Sequence, residues 1–200
     1  MTEAKLYQPL FDYIINRSAL QLNDAERALI TDAFKPRSFK KREYLLRVNE
    51  VCKYMSFITA GAGRMYSINA DGQENIVRFA IEQWWLGDYE SYNLQQPSIY
   101  NIDVLEDTEA LTVTHAAMQT LMQKVPAVEA MVKEIDRKSA IATQKRIHSA
   151  ISLNAAQRYQ TLMETYPEFL QRFPQAMIAS YLGLSPETLS RVRKQVLRNK

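Results

Sequence analysis

The stretch Gln175–Arg198, QAMIASYLGLSPETLSRVRKQVLR, leaves a folding chain few choices. Ile178, Ala179 and Leu182 are spaced to bury one face of a helix. Gly183 comes next, where a helix end wants a left-handed backbone, and Leu184 can fill the gap beyond it. Ser185 suits an N-cap, Pro186 the first helical position and Glu187 the first turn. Leu189, Val192 and Val196 then return to the core at spacings of three and four. The pattern predicts two helices across a tight turn, a helix-turn-helix, and the second helix suits the major groove of duplex DNA.

The exposed face of that second helix would carry Glu187, Thr188, Ser190, Arg191, Lys194 and Arg198, with Ser185 at its start. Arginine can make a bidentate contact with guanine, and glutamate can accept from the cytosine amino group. Serine and threonine hydroxyls suit phosphate oxygens. Arg191, Arg193, Lys194, Arg198 and Lys200 stand here against the one carboxylate Glu187, although the whole chain carries only +3. A basic tip on a near-neutral body suits a polyanion at the tip. The plainer alternative is a helical hairpin with a solvated basic face.

The rest of the chain divides by period. Leu6–Arg17 reads as an amphipathic helix, and Asn23 can cap a second over Asp24–Ala33. From Arg37 the pattern turns to short strands: Phe39, Tyr44–Val48, Tyr54–Thr59, Gly63–Ile68, Asn75–Ala80, Ile99–Leu105 and Ala110–Thr114. Glycine-bearing turns separate several of them, which predicts a β-sandwich or jelly roll. Met118–Gln123 reads as a short helix. From Pro126 to Ile151 no glycine or internal proline interrupts a long one. Val128, Val132, Ile135, Ser139 and Ala142 lie along one seam of that helix, which predicts a dimer contact. The alternative is a helix packed on its own β domain. Asn154 caps a further helix over Ala155–Thr165, and Pro167 and Pro174 bracket a short one.

Cys52 is the sole cysteine, so no intrachain disulfide and no cysteine-held cluster can form. His115 and His148 show no metal-ligand spacing, so no metal site is expected and a cupin-type enzyme is set aside. The first residues lack a signal-peptide apolar core, and no run of about 20 apolar residues occurs. A soluble, cytoplasmic protein without a membrane partner is expected.

The assembled order is α+β: an N-terminal double-stranded β-helix with flanking helices (1–125), a long dimerisation helix (126–152) and a C-terminal helix-turn-helix (153–200). It resembles the Crp/Fnr family of bacterial transcription regulators across essentially the whole chain. IASYLGLSPETLSRVRK and AAQRYQTLM carry the resemblance best, and both look like the short Bacteroidetes members. The resemblance implies a homodimer on an inverted-repeat operator in double-stranded DNA, with RNA polymerase as a further partner. It implies base reading by Glu187 and Arg191, with Thr188 and Ser190 near phosphates. The family's β-wing has almost no chain left to form it, so Arg198 and Lys200 would have to replace its phosphate contacts.

Cyclic-AMP-binding members present a Gly-Glu pair for the ribose and an Arg-Ser pair about ten residues on for the phosphate. Here Gly87-Asp88 stands for the first pair, and Ser98 matches the serine. Pro97 replaces the arginine and offers neither charge nor a backbone donor. Arg78 is a substitute charge on another strand. Thr143 and Gln144 fall where the family's long helix closes over a bound nucleotide. The expectation is an effector pocket bordered by these residues, with an unidentified effector and not cyclic AMP, and no other cofactor. The competing function is a small-molecule-sensing β-roll whose helix-turn-helix contacts protein.

Overall fold

The computed structural model describes residues 3–198, with side chains from 5 to 196. Helices α1 (Glu3–Ser18) and α2 (Asp24–Ala33) lead into strands β1 (Lys35–Phe39), β2 (Tyr44–Leu46), β3 (Tyr54–Ala60), β4 (Gly63–Ile68), β5 (Glu74–Ala80) and β6 (Trp85–Leu86). Helix α3 (Tyr89–Leu94) interrupts before β7 (Asn101–Val104) and β8 (Thr108–Thr114). Six helices follow among the described residues: α4 (His115–Lys124), α5 (Pro126–Ser152), α6 (Ala155–Thr165), α7 (Pro167–Arg172), α8 (Gln175–Leu182) and α9 (Pro186–Arg198).

Local chemistry explains several boundaries. The Glu26 N–H donates to Asn23 Oδ1 at 2.9 Å while the Asn23 N–H donates to Glu26 Oε2 at 2.9 Å. Two orphan donors of α2 are thereby satisfied by one residue pair. Asn154 and Gln157 repeat the arrangement at α6, both bonds at 3.0 Å. The short β6 and α3 carry too few residues for a period, and the sequence reading passes over both.

The strands form two antiparallel four-stranded sheets, ordered β1-β8-β3-β6 and β2-β7-β4-β5. This is the jelly-roll order: the first and last strands of the sequence pair, and each strand passes to the opposite sheet from the one before it except β5, which forms a hairpin with β4. Between β7 and β4 a buried pair, Arg64 Nε to Asp103 Oδ1 at 2.8 Å and Nη2 to Oδ2 at 3.0 Å, is bidentate. That geometry is what allows two charges to leave water together.

Two compact units emerge. One comprises residues 1–67 and 78–137, the other residues 68–77 and 138–200. In the first, Leu10, Ile14, Phe57, Leu111, Met118 and Val128 belong to a continuous apolar core drawn from α1, the sheet containing β3 and β8, α4 and the start of α5. In the second, Tyr159, Leu162, Phe169, Ile178, Leu189 and Val192 are buried. Phe169 stacks on Tyr166 at 5.0 Å and meets Phe173 edge-on at 5.2 Å. Among the described residues no helix is long and apolar enough to cross a membrane.

Candidate nucleic-acid interface and effector cassette

The helix-turn-helix is built by backbone hydrogen bonds that only a left-handed residue permits. Gly183 has φ +66°, and its N–H reaches the carbonyls of Ala179 and Ser180. The Leu184 N–H donates to Ala179 O at 2.9 Å. Together these close α8 as a Schellman motif. Arg158, from α6, adds a donor: its Nη1 bonds Leu182 O at 2.9 Å, satisfying another terminal carbonyl. At the start of α9 the Thr188 N–H donates to Ser185 Oγ at 3.2 Å.

Leu189 and Val192 turn inward, whereas Glu187, Ser190, Arg191 and Lys194 are exposed and Thr188 is half-buried. The Glu187 carboxyl is held below the usual glutamate range by its own backbone N–H and by the Ser185 hydroxyl. The side chain of Arg198 and all of Lys200 lie outside the described residues.

The cassette residues of the roll have local employment. Asp88 is the N-cap of α3, and its Oδ1 accepts from the Glu90 and Ser91 N–H groups at 3.1 and 3.4 Å. Its Oδ2 accepts from the Ser98 hydroxyl at 2.6 Å. Asp88 and Ser98 are thus brought together, 6% and 2% exposed. The segment around Ser98 is pinned on its other side: the Ser98 N–H donates to Glu50 O and the Asn49 N–H to Ser98 O, each at 2.8 Å. Pro97 forms a bridge with Val51. The Cys52 N–H donates to Ser91 Oγ at 2.9 Å, and burial pushes the Cys52 thiol up. The Asp-x-Glu-Ser order ahead of an apolar-polar run is a capping signal legible in the sequence.

Gly87 borders a cavity of about 10 Å³, with Phe39, Leu46, Ser56, Leu86 and Ile102 among its walls. That is room for roughly one water molecule. Arg78 lies in β5 and is half-buried, and Thr143 and Gln144 are exposed on α5 in the other compact unit. Among the described residues no group of three or more His, Cys, Asp and Glu side chains is placed to hold a metal ion.

Along α5 the predicted seam divides. Val128 is fully buried in the core of its own unit, and Val132 and Ile135 pack against that core. Val128 is therefore corrected from a partner-facing to an intrachain position: it lies in the apolar core to which α1, α4 and the sheet also contribute. Ser139 is half-buried and Ala142 exposed. Three isoleucines outside the seam, Ile141, Ile147 and Ile151, are 42%, 57% and 78% exposed. The sequence reading missed them because it followed one register from the helix start.

Residues 36–125 match the cyclic nucleotide-binding domain family. The transcriptional regulator Flp of Lacticaseibacillus casei is 23% identical over 189 residues, spanning 90% of this chain and 84% of that one. FixK2 from Bradyrhizobium japonicum shares the fold with a TM-score of 0.69 at 18% identity, over 83% of this chain and 85% of that one. A Crp/Fnr-family transcriptional regulator from Eubacterium rectale does so with a TM-score of 0.64 at 17% identity, over 89% and 85%. Jelly roll, long helix and helix-turn-helix follow one another in this order, and the chain is similar in sequence and fold to transcriptional regulators of the Crp/Fnr type.

Proposed function

We propose that the protein is a homodimeric, sequence-specific DNA-binding regulator whose roll does not take a cyclic nucleotide. The observation that carries DNA binding is the outer face of α9. Arg191, Ser190 and Lys194 are exposed on a helix whose start is capped and whose opposite face is buried. Two such helices related by a two-fold axis would enter successive major grooves about 34 Å apart, so the operator is an inverted repeat. Exposed Ile147 and Ile151, four residues apart on α5, give a second copy an apolar strip to cover. RNA polymerase is the expected further partner, and the cytoplasm the expected compartment.

The effector reading rests on the cassette. Asp88 spends its oxygens on α3 and Ser98. Pro97 supplies no charge for a phosphate. A nucleotide would have to break the cap and find its counter-charge elsewhere, with Arg78 as the substitute on β5. Binding to duplex DNA, measured across salt concentrations, tests the first half: affinity should fall steeply with salt and depend on sequence. Calorimetry with cyclic AMP and cyclic GMP tests the second half, and no saturable heat is expected. Micromolar binding of either nucleotide, abolished by Asp88→Ala, would overturn the effector reading.

A further inference from the structure

The β4–β5 hairpin tip, residues 68–77, belongs to the same compact unit as the C-terminal helices. Strand β5 is the last strand of its sheet, so one side of its backbone has no neighbouring strand. Ser180, on the first helix of the helix-turn-helix, meets that side. Its hydroxyl accepts from the Ile76 N–H at 2.9 Å and donates to the Glu74 carbonyl at 2.7 Å. Those are the two groups that a single residue of a parallel neighbour would bind. One side chain thus replaces one strand residue at an otherwise open edge.

A second grip lies beside it. The Arg146 guanidinium, from α5, donates to the Val77 carbonyl and sits over the Tyr181 ring, 4.7 Å from its centroid. Tyr181 adjoins Ser180, so residues 74–77 are held by α5 and α8 together. The tip beyond is stiffened by Asn69, whose side-chain oxygen accepts from the Asp71 and Gln73 N–H groups at 3.1 and 2.9 Å. Its backbone N–H also donates to Gln73 O at 3.0 Å. The Asn69 side chain thereby closes the turn locally, as an Asx turn does. The exposed start of α8, Gln175 and Ala176, and the outer face of α9 are left open by this grip.

We propose that the hairpin is a latch for the DNA-binding head, with Ser180 as its positioning residue. The latch fixes where the head stands beyond the break in the helix at Leu153–Asn154, and in a dimer it thereby fixes the distance between the two recognition helices. The hairpin's stems continue as strands β4 and β5 of the roll. A change in the roll can bias the head only if it favours one latched arrangement over another.

The test uses the full chain with Ser180→Ala and the hydroxyl-retaining Ser180→Thr. Amide exchange followed by NMR should show Ile76 exchanging about tenfold faster in Ser180→Ala, as expected for loss of one hydrogen bond. The α9 amides should be unchanged, and Ser180→Thr should exchange as the parent does. Operators with one base pair added or removed between half-sites form the second arm, which rests on the DNA-binding reading above. The parent should reject them, and Ser180→Ala should lose about tenfold of that discrimination. Equal Ile76 exchange in parent and Ser180→Ala would overturn the latch, and unchanged spacing discrimination would overturn its positioning role. A parent that binds no duplex at all would instead sink the DNA-binding reading, and the exchange arm would still decide the latch. Should Ser180→Ala fail to fold, Arg146→Met is read by the same spacing assay with the same expectation.

Discussion

Arg191 and Lys194 sit one turn apart on the outer face of α9, yet the chemistry of the two groups separates their roles. A guanidinium is a planar fork that matches the O6 and N7 edge of guanine, whereas an ammonium is a point charge suited to phosphate. Arg191→Ala should cost about 1–3 kcal/mol of binding on the preferred operator and relax its sequence preference. Lys194→Ala should weaken binding on every duplex and reduce the salt slope by about one. Selection from a randomised duplex pool distinguishes them. An Arg191→Ala protein that still selects the parental sequence would remove Arg191 from base reading.

Helix α3 shows how one buried carboxylate can hold a short element in place. It has only six residues, too few to sustain itself, and its start depends on Asp88. The same carboxylate accepts the buried Ser98 hydroxyl across the loop. Asp88→Ala would leave the Ser98 hydroxyl and two helix-start N–H groups without that acceptor, at a cost of about 1–3 kcal/mol. Urea unfolding should register this as a lower midpoint with unchanged slope. A carboxylate kept free for a ligand would be near-neutral in that measurement, so the result also bears on the effector reading.

For the molecule as a whole, α5 is shared between both compact units, and its surroundings change along its length. At about 1.5 Å per residue its 27 residues extend roughly 40 Å. Its first turns contribute Val128 and Met131 to one core, and beyond Lys138 every residue except Ser139 and Ser149 is exposed. A dimer-breaking charge therefore belongs in the exposed part. Ile147→Glu combined with Ile151→Glu should shift the protein to monomer in sedimentation and lower operator affinity at least tenfold, with the thermal midpoint of the roll unchanged. Ile135→Glu would confuse the two effects, since Ile135 packs against its own core. A doubly substituted protein that sediments as a dimer would place the contact elsewhere.

The sequence by itself determined the features whose partners lie within a few residues. The Asn23 and Asn154 caps, the left-handed Gly183, the Ser185 start of α9 and the unbroken run of α5 are all of this kind. Each is decided by a hydrogen bond spanning three to five residues or by the absence of a helix breaker, so a linear reading finds it. Tertiary structure decided what depends on chain segments meeting across the sequence. Asp88 became a structural acceptor because Ser98 returned to it, and Val128 became core because α1 and the sheet contribute to the same apolar core. The tip of the β4–β5 hairpin joined the unit of the C-terminal helices because Ser180 met Glu74 and Ile76 more than a hundred residues away. A hydroxyl on a short apolar helix carries no local sign of the strand edge it will complete. Only the fold, by leaving that edge open beside α8, gave Ser180 its partners.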